Sequence, residues 1–304
     1  MDNFIIRWYN QNRKMFWTVI LTIIGVIALI QTLNNYYENN PKKQSSSTYG
    51  TTTYSTNNYS VITQKDIDET ISKKSINVIE EFFKYCNNGE IEDAYKILST
   101  ECREELYPTV EDFKVKYYNK IFTESKSYNY ILWIAEGRRH TYRVEIMSDL
   151  LATGKKDDMP IEDYYTITSE NGDYKLSISS YIGKEDINIY KNQKNISIKI
   201  ISKKMYMDYE VYEIEVQNNT GNKLIFNTKE NPNSVYIQDR NDLKYISFLN
   251  EIPSSELEIL AGSAKVLEIK FNRGYKPTIS IEKIIFGDIK INNNQQTESI
   301  EIEL

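Results

Sequence analysis

Histidine is nearly absent from this chain of 304 residues: His140 is the only one. That count excludes every site needing two histidines, including HExxH metalloproteases and multi-histidine zinc centres. Cysteine occurs twice, as Cys86 and Cys102, too few for a disulfide-rich scaffold and without the spacing of a CxxC metal or redox motif. Proline (6) and glycine (11) are too scarce for a collagen. Basic residues number 37 against 43 acidic, and the resulting charge of −6 excludes a strongly basic nucleic-acid binder. What is abundant is tyrosine, at 25, with asparagine, isoleucine and lysine. All have AT-rich codons, so mutational bias accounts for part of the composition. Apolar residues (40%) and charged residues (26%) suffice for ordinary cores, and the length suits about two soluble domains.

The longest apolar run lies at 15–33, MFWTVILTIIGVIALIQTL, without a charge. Nineteen residues at ~1.5 Å rise cover about 28 Å, near the ~30 Å hydrocarbon core, so the run predicts a single transmembrane helix. Trp17, Tyr36 and Tyr37 flank it as interfacial aromatics. A cleaved signal peptide is the alternative, but residues 28–36 show no small-x-small site. Arg7, Arg13 and Lys14 place residues 1–14 as a cytoplasmic tail by the positive-inside rule, with residues 34–304 extracytoplasmic. Residues 34–63, rich in Asn, Gln, Ser, Thr and Tyr, predict a polar disordered linker. Sequons occur at Asn58, Asn195 and Asn218.

Residues 64–184 predict an α+β domain. Thr63 and Asp66 resemble a capping box ahead of a helix carrying Ile67, Ile71, Val78, Ile79, Phe82 and Phe83, stopped by Gly89. Ser99 and Thr109 are candidate N-caps of further short helices. After Lys126 the period becomes two: Tyr128, Tyr130, Leu132 and Ile134, then His140, Tyr142, Val144 and Ile146. Asn171-Gly172 is a hairpin signal. The run EIEDAYKILSTECREELYPTVEDFKVKYYN at 90–119 resembles the helical opening of nuclear transport factor 2-like domains in Gram-positive envelope proteins, through Asp93-Ala94-Tyr95, Leu98-Ser99 and Pro108-Thr109 leading to Phe113. The resemblance implies a helix-backed curved sheet forming a cone, in which some relatives are enzymes and many only bind or assemble.

An enzyme in such a cone needs an acid/base pair in an apolar pocket. The candidates are His140, Glu145 and Asp163, each with a plainer reading as a core, sheet-edge or solvated residue. Cys86 and Cys102 are a candidate disulfide, because an outward-facing domain permits one; their separation by an intervening helix argues against it, and the pairing stays open.

Residues 187–304 lose helical periodicity. INIYKN, ISIKIIS, YEVYEIEVQN, KLIFNT, SVYIQD, KYISFL, AKVLEIKF and IEKIIFGDIKI predict eight short strands and a β-sandwich. Val211, Ile214 and Val216 alternate with Glu210, Glu213 and Glu215, with a slip near Tyr212. YEIEVQNNTGNKLIF, ILAGSAKVLEIKF and IEKIIFGDI resemble immunoglobulin-like domains of Gram-positive lipoproteins and membrane-anchored proteins, which generally bind or space. The expected fold class is thus multidomain: a transmembrane helix, an α+β nuclear transport factor 2-like cone and an all-β immunoglobulin-like sandwich.

The functional expectation is non-enzymatic. An integral membrane protein presents two outer modules to other envelope proteins, without cofactor, metal or nucleic acid. Conjugative type IV secretion assemblies are one setting: the short tail, single span and outer nuclear transport factor 2-like module resemble their assembly subunits, and the immunoglobulin-like second domain departs from that pattern. Small-ligand binding or catalysis in the cone of 64–184, and a structural surface stalk, are the alternatives.

Overall fold

A computed structural model describes residues 58–154, 159–226, 231–291 and 296–304. Its first helix, α1 (Glu69–Asn88), starts where the Asp68 carboxylate accepts the Thr70 N–H at 2.8 Å, and ends at Gly89 in the left-handed conformation, φ 76°. Thr63, expected in the capping box, is used differently. Its hydroxyl bonds Ser60 Oγ and the Ala135 carbonyl, while the amides of Val61 and Ile62 donate to Leu132 and Trp133 carbonyls. Residues 58–63, expected as the end of the linker, therefore cover a sheet edge. After α2 (Ile91–Ile97), Ser99 caps the N-terminus of α3 (Thr100–Leu106) by accepting the Cys102 N–H at 3.0 Å. Thr109 caps α4 (Val110–Phe113) in the same way, and a π turn, Lys114–Tyr118, follows.

The helices lie against an antiparallel sheet of β1 (Lys126–Glu136), β2 (Arg139–Ser148), β3 (Ile161–Glu170) and β4 (Asp173–Ser177), in sequence order. Asn171 and Gly172, φ 53° and 91°, make the tight β3–β4 turn that their residue types predict. Phe82 and Phe83 of α1 enter the layer between helices and sheet, where Phe83 stacks on Tyr128 at 4.0 Å and Phe82 meets Phe113, Tyr117, Phe122 and Tyr165.

The second lobe has two sheets over a separate core of Ile, Val, Leu and Phe. One runs β12–β7–β6–β5, from β5 (Tyr181–Gln193), β6 (Ile196–Tyr206), β7 (Glu210–Asn218) and β12 (Ala264–Phe271). The other runs β10–β9–β13–β8–β11, from β8 (Leu224–Phe226), β9 (Val235–Asp239), β10 (Lys244–Ile246), β11 (Glu258–Ile259) and β13 (Ile281–Ile291), with β14 (Gln296–Glu303) on the free side of β13. All eight expected strands are present, and β11 and β14 are additional. The slip expected at Tyr212 is absent: Glu210, Tyr212, Ile214, Val216 and Asn218 are all buried in strict alternation, and Val211 turns to the other face, half-buried against the first core.

β5 passes through the expected domain junction at 185–186. Its start, Tyr181, belongs to the first core, while Ile187 and Ile189 pack on the second. Half-buried Glu105 of α3 adds a second link, 2.6 Å from Lys184 Nζ on β5 and 2.9 Å from Lys204 Nζ on β6.

The expected fold class is corrected. Among the described residues no helix is long and apolar enough to cross a membrane, and the described chain is predominantly β. The longest helix, α1, is amphipathic: Lys73, Lys74, Glu80, Glu81 and Lys84 occupy its sequence between the buried Ile79, Phe82 and Phe83, so hydrocarbon would strip its charges of water. The β-branched and aromatic alternation after Lys126 favours strands over nearly all the rest. The expected membrane helix at 15–33, the tail at 1–14 and the linker up to residue 57 lie outside the described residues.

Candidate functional site

The catalytic candidates are placed apart. His140 and Asp163 share the helix-facing side of the first sheet, but His140 pairs with Ile167 and Asp163 with Val144. Four residues of strand separate the two rows, on the order of 13 Å at about 3.3 Å per residue, beyond proton transfer. His140 is buried, its Nδ1 has no partner, and burial lowers its pKa from 6.5. Glu145 lies on the opposite face, where Arg143 reaches it at 3.2 Å and Glu162 at 2.5 Å. The concave side expected to offer a pocket is filled by the aromatic layer of α1, the π turn and β3.

Asp163 acts on the backbone. Its carboxylate accepts the N–H of Ser180 at 2.8 Å, of Ser179 at 3.1 Å and of Tyr164 at 2.8 Å, and the Tyr117 hydroxyl at 3.3 Å. Ser179 and Ser180 both have positive φ, 57° and 58°, immediately before β5. Asp163 thus holds the strained entry into the strand that joins the lobes. Burial pushes its carboxyl up to about 6, against the pull of these donors.

Cys86 and Cys102 are free, buried thiols in the first core. Burial raises both pKa values, Cys102 to about 12, so neither is a nucleophile near neutral pH. Asn218 is fully buried and its amide donates to the carbonyls of Asn222, Ile259 and Leu260, which removes that sequon from solvent. Asn195 is exposed in the β5–β6 turn.

The two lobes meet around a cleft of about 660 Å³ that none of these candidates lines. The β1–β2 turn supplies Glu136, Gly137, Arg138 and Arg139; the end of β3 supplies Thr168, Ser169 and Glu170. Across from them lie Glu185 of β5, Lys203 of β6, Glu210 of β7 and the loop 273–281 between β12 and β13. Gly183, φ 153°, brings the β5 backbone under the Arg139 guanidinium: a Cβ there would meet it at 2.7 Å. At the floor, fully buried Glu210 pairs with Arg273, itself 3% exposed, and accepts the Tyr212 hydroxyl at 3.1 Å. Burial holds the Glu210 carboxyl above the usual range, while Arg273 and Lys203 pull it back. Arg273 also donates to the Ile279 carbonyl, tying the loop down, and leaves its Nε without a partner.

The other carboxylates are likewise partnered. Glu136 pairs with Lys65 at 2.8 Å and Glu185 with Lys203 at 2.9 Å. Glu170 accepts Thr100 N–H and hydroxyl at 3.1 and 3.0 Å; Glu101 accepts the Tyr181 hydroxyl at 2.8 Å and the Lys184 N–H. The cations are less satisfied. Among the described residues, the side chain of exposed Arg138 has no partner, that of Arg139 has one long bond of 3.5 Å to the Lys184 carbonyl, and that of Lys276 contacts only Tyr245, at 3.3 Å from its hydroxyl. The cleft can therefore hold a charged ligand by ion pairing.

No protein-family model matches the chain, and no curated protein matches it by sequence.

The cleft is not legible in the sequence because its walls come from separate segments spread between Glu101 and Ile281. One signal was present: Arg138-Arg139 is the only adjacent arginine pair in the sequence, and it follows Gly137 in a turn between two strands.

Proposed function

We propose that residues 58–304 form a non-catalytic binding module that engages a protein partner at the interlobe cleft, with envelope proteins the expected class of partner and a multi-subunit assembly one setting. The carrying observation is the cleft itself: both lobes contribute to it, and Gly183, Asp163 and the buried Glu210–Arg273 pair hold its walls. Such a rigid, polar, two-walled site suits recognition, in which bound groups are gripped without being activated.

A photo-crosslinking amino acid at Ser169 and, separately, at Ser280, both lining the cleft, is expected to yield the same protein adduct in cells. The same probe at Asn192, on the β5–β6 hairpin, is the control and should yield none. Adducts at Asn192 only, or different adducts at the two cleft positions, would overturn the reading.

A further inference from the structure

We propose that the cleft grips an acidic protein segment, an extended run of spaced carboxylates, through Arg138, Arg139 and Lys276. This rests on the reading of the cleft as a protein-binding site and names the chemistry of its partner. The cleft's glutamates already have cationic or hydrogen-bonding partners inside the molecule, whereas these three cations have almost none. They also come from both walls: the two arginines from the β1–β2 turn of one lobe, the lysine from the β12–β13 loop of the other. All three line the one cleft, and a carboxylate bound among them adds charge-assisted hydrogen bonds.

The mixed lining selects the kind of anion. Glutamates lie among the cations, so a dense polyanion would be repelled at every carboxylate it passed. In an extended peptide, alternate side chains point the same way, about 7 Å apart, so carboxylates can meet the cations while the intervening residues pass the glutamates. Arg139 is the fixed point, seated over Gly183, whose missing side chain leaves room for the guanidinium. Exposed Arg138 and Lys276 are free to close on the segment.

The test is a calorimetric titration of the full-length chain with a hexapeptide alternating glutamate and glycine. A lysine–glycine hexapeptide and inorganic pyrophosphate serve as the comparison probes. The glutamate peptide is expected to bind, with affinity falling as salt is raised to about 0.5 M. Arg138→Glu with Lys276→Glu should weaken it by roughly tenfold or more, and Lys191→Glu, on the exposed part of β5, should leave it unchanged. Circular dichroism checks the fold of the double variant, and Arg138→Gln with Lys276→Gln replaces it if it unfolds. Equal binding by wild type and both cleft variants, tighter binding of the lysine peptide, or binding of pyrophosphate alone would each overturn the proposal. Failure of the glutamate peptide while cleft crosslinks persist would remove the acidic specificity and leave the binding module standing; loss of the crosslinks would remove both.

Discussion

His140 carries the only imidazole in the chain, so a single ring signal in an NMR titration reports on it. Its burial on β2 without a carboxylate partner predicts a midpoint below 6.5. A midpoint at or above 6.5 would mean a neighbouring anion that the structure does not place there. Asp163 makes the opposite prediction. Its folded-state carboxyl titrates near 6 instead of the ordinary 3.8, so the folded chain holds the proton more tightly than the unfolded chain. This contribution to stability is fully present below about 4 and is lost as pH rises through about 6. Denaturant unfolding of wild type and Asp163→Asn should therefore show a stability difference that narrows by up to about 3 kcal/mol from pH 4 to pH 7. A constant difference would contradict the raised value. Both residues were visible in the sequence as polar positions within apolar alternation. Their roles were not, because the turn that Asp163 holds lies sixteen and seventeen residues downstream.

At the scale of elements, local signals were readable where the chemistry is local. Ser99 and Thr109 cap their helices, Gly89 ends α1, and Asn171-Gly172 turns the β3–β4 hairpin, each through contacts within a few residues. Glu210 was read with the outward glutamates of β7 because its inward partner, Arg273, comes from beyond β12. Removing either member alone leaves a buried charge and is expected to cost about 3–5 kcal/mol in urea unfolding. Glu210→Gln with Arg273→Met should cost clearly less than the sum of the single changes; strict additivity would show that the pair is not coupled. Gly183→Ala tests the junction. Its φ of 153° and the Arg139 guanidinium above it both oppose a side chain, so about 1–3 kcal/mol of destabilisation is expected, with weaker binding of the cleft ligand. An alanine variant as stable as wild type would mean that Arg139 is not seated there.

Over the whole described molecule there are two hydrophobic cores, and the sequence carried no sign of how they connect. β5 contributes Tyr181 to one core and Ile187 and Ile189 to the other, and Glu105 bridges to both Lys184 and Lys204. Amides of β3 and β7, such as Tyr165 and Ile214, are therefore expected to exchange through one global opening of the same free energy; independent openings would mean that the lobes unfold separately. The cleft follows from that connection, since neither lobe builds it alone. On the proposed function, the partner sits in this cleft. The most direct measurement is hydrogen–deuterium exchange of the chain with and without the partner captured by crosslinking. New protection is expected at 136–139 and 273–281, with the β5–β6 turn at 194–195 unchanged. Protection confined to that turn, with the cleft segments exchanging as before, would contradict it.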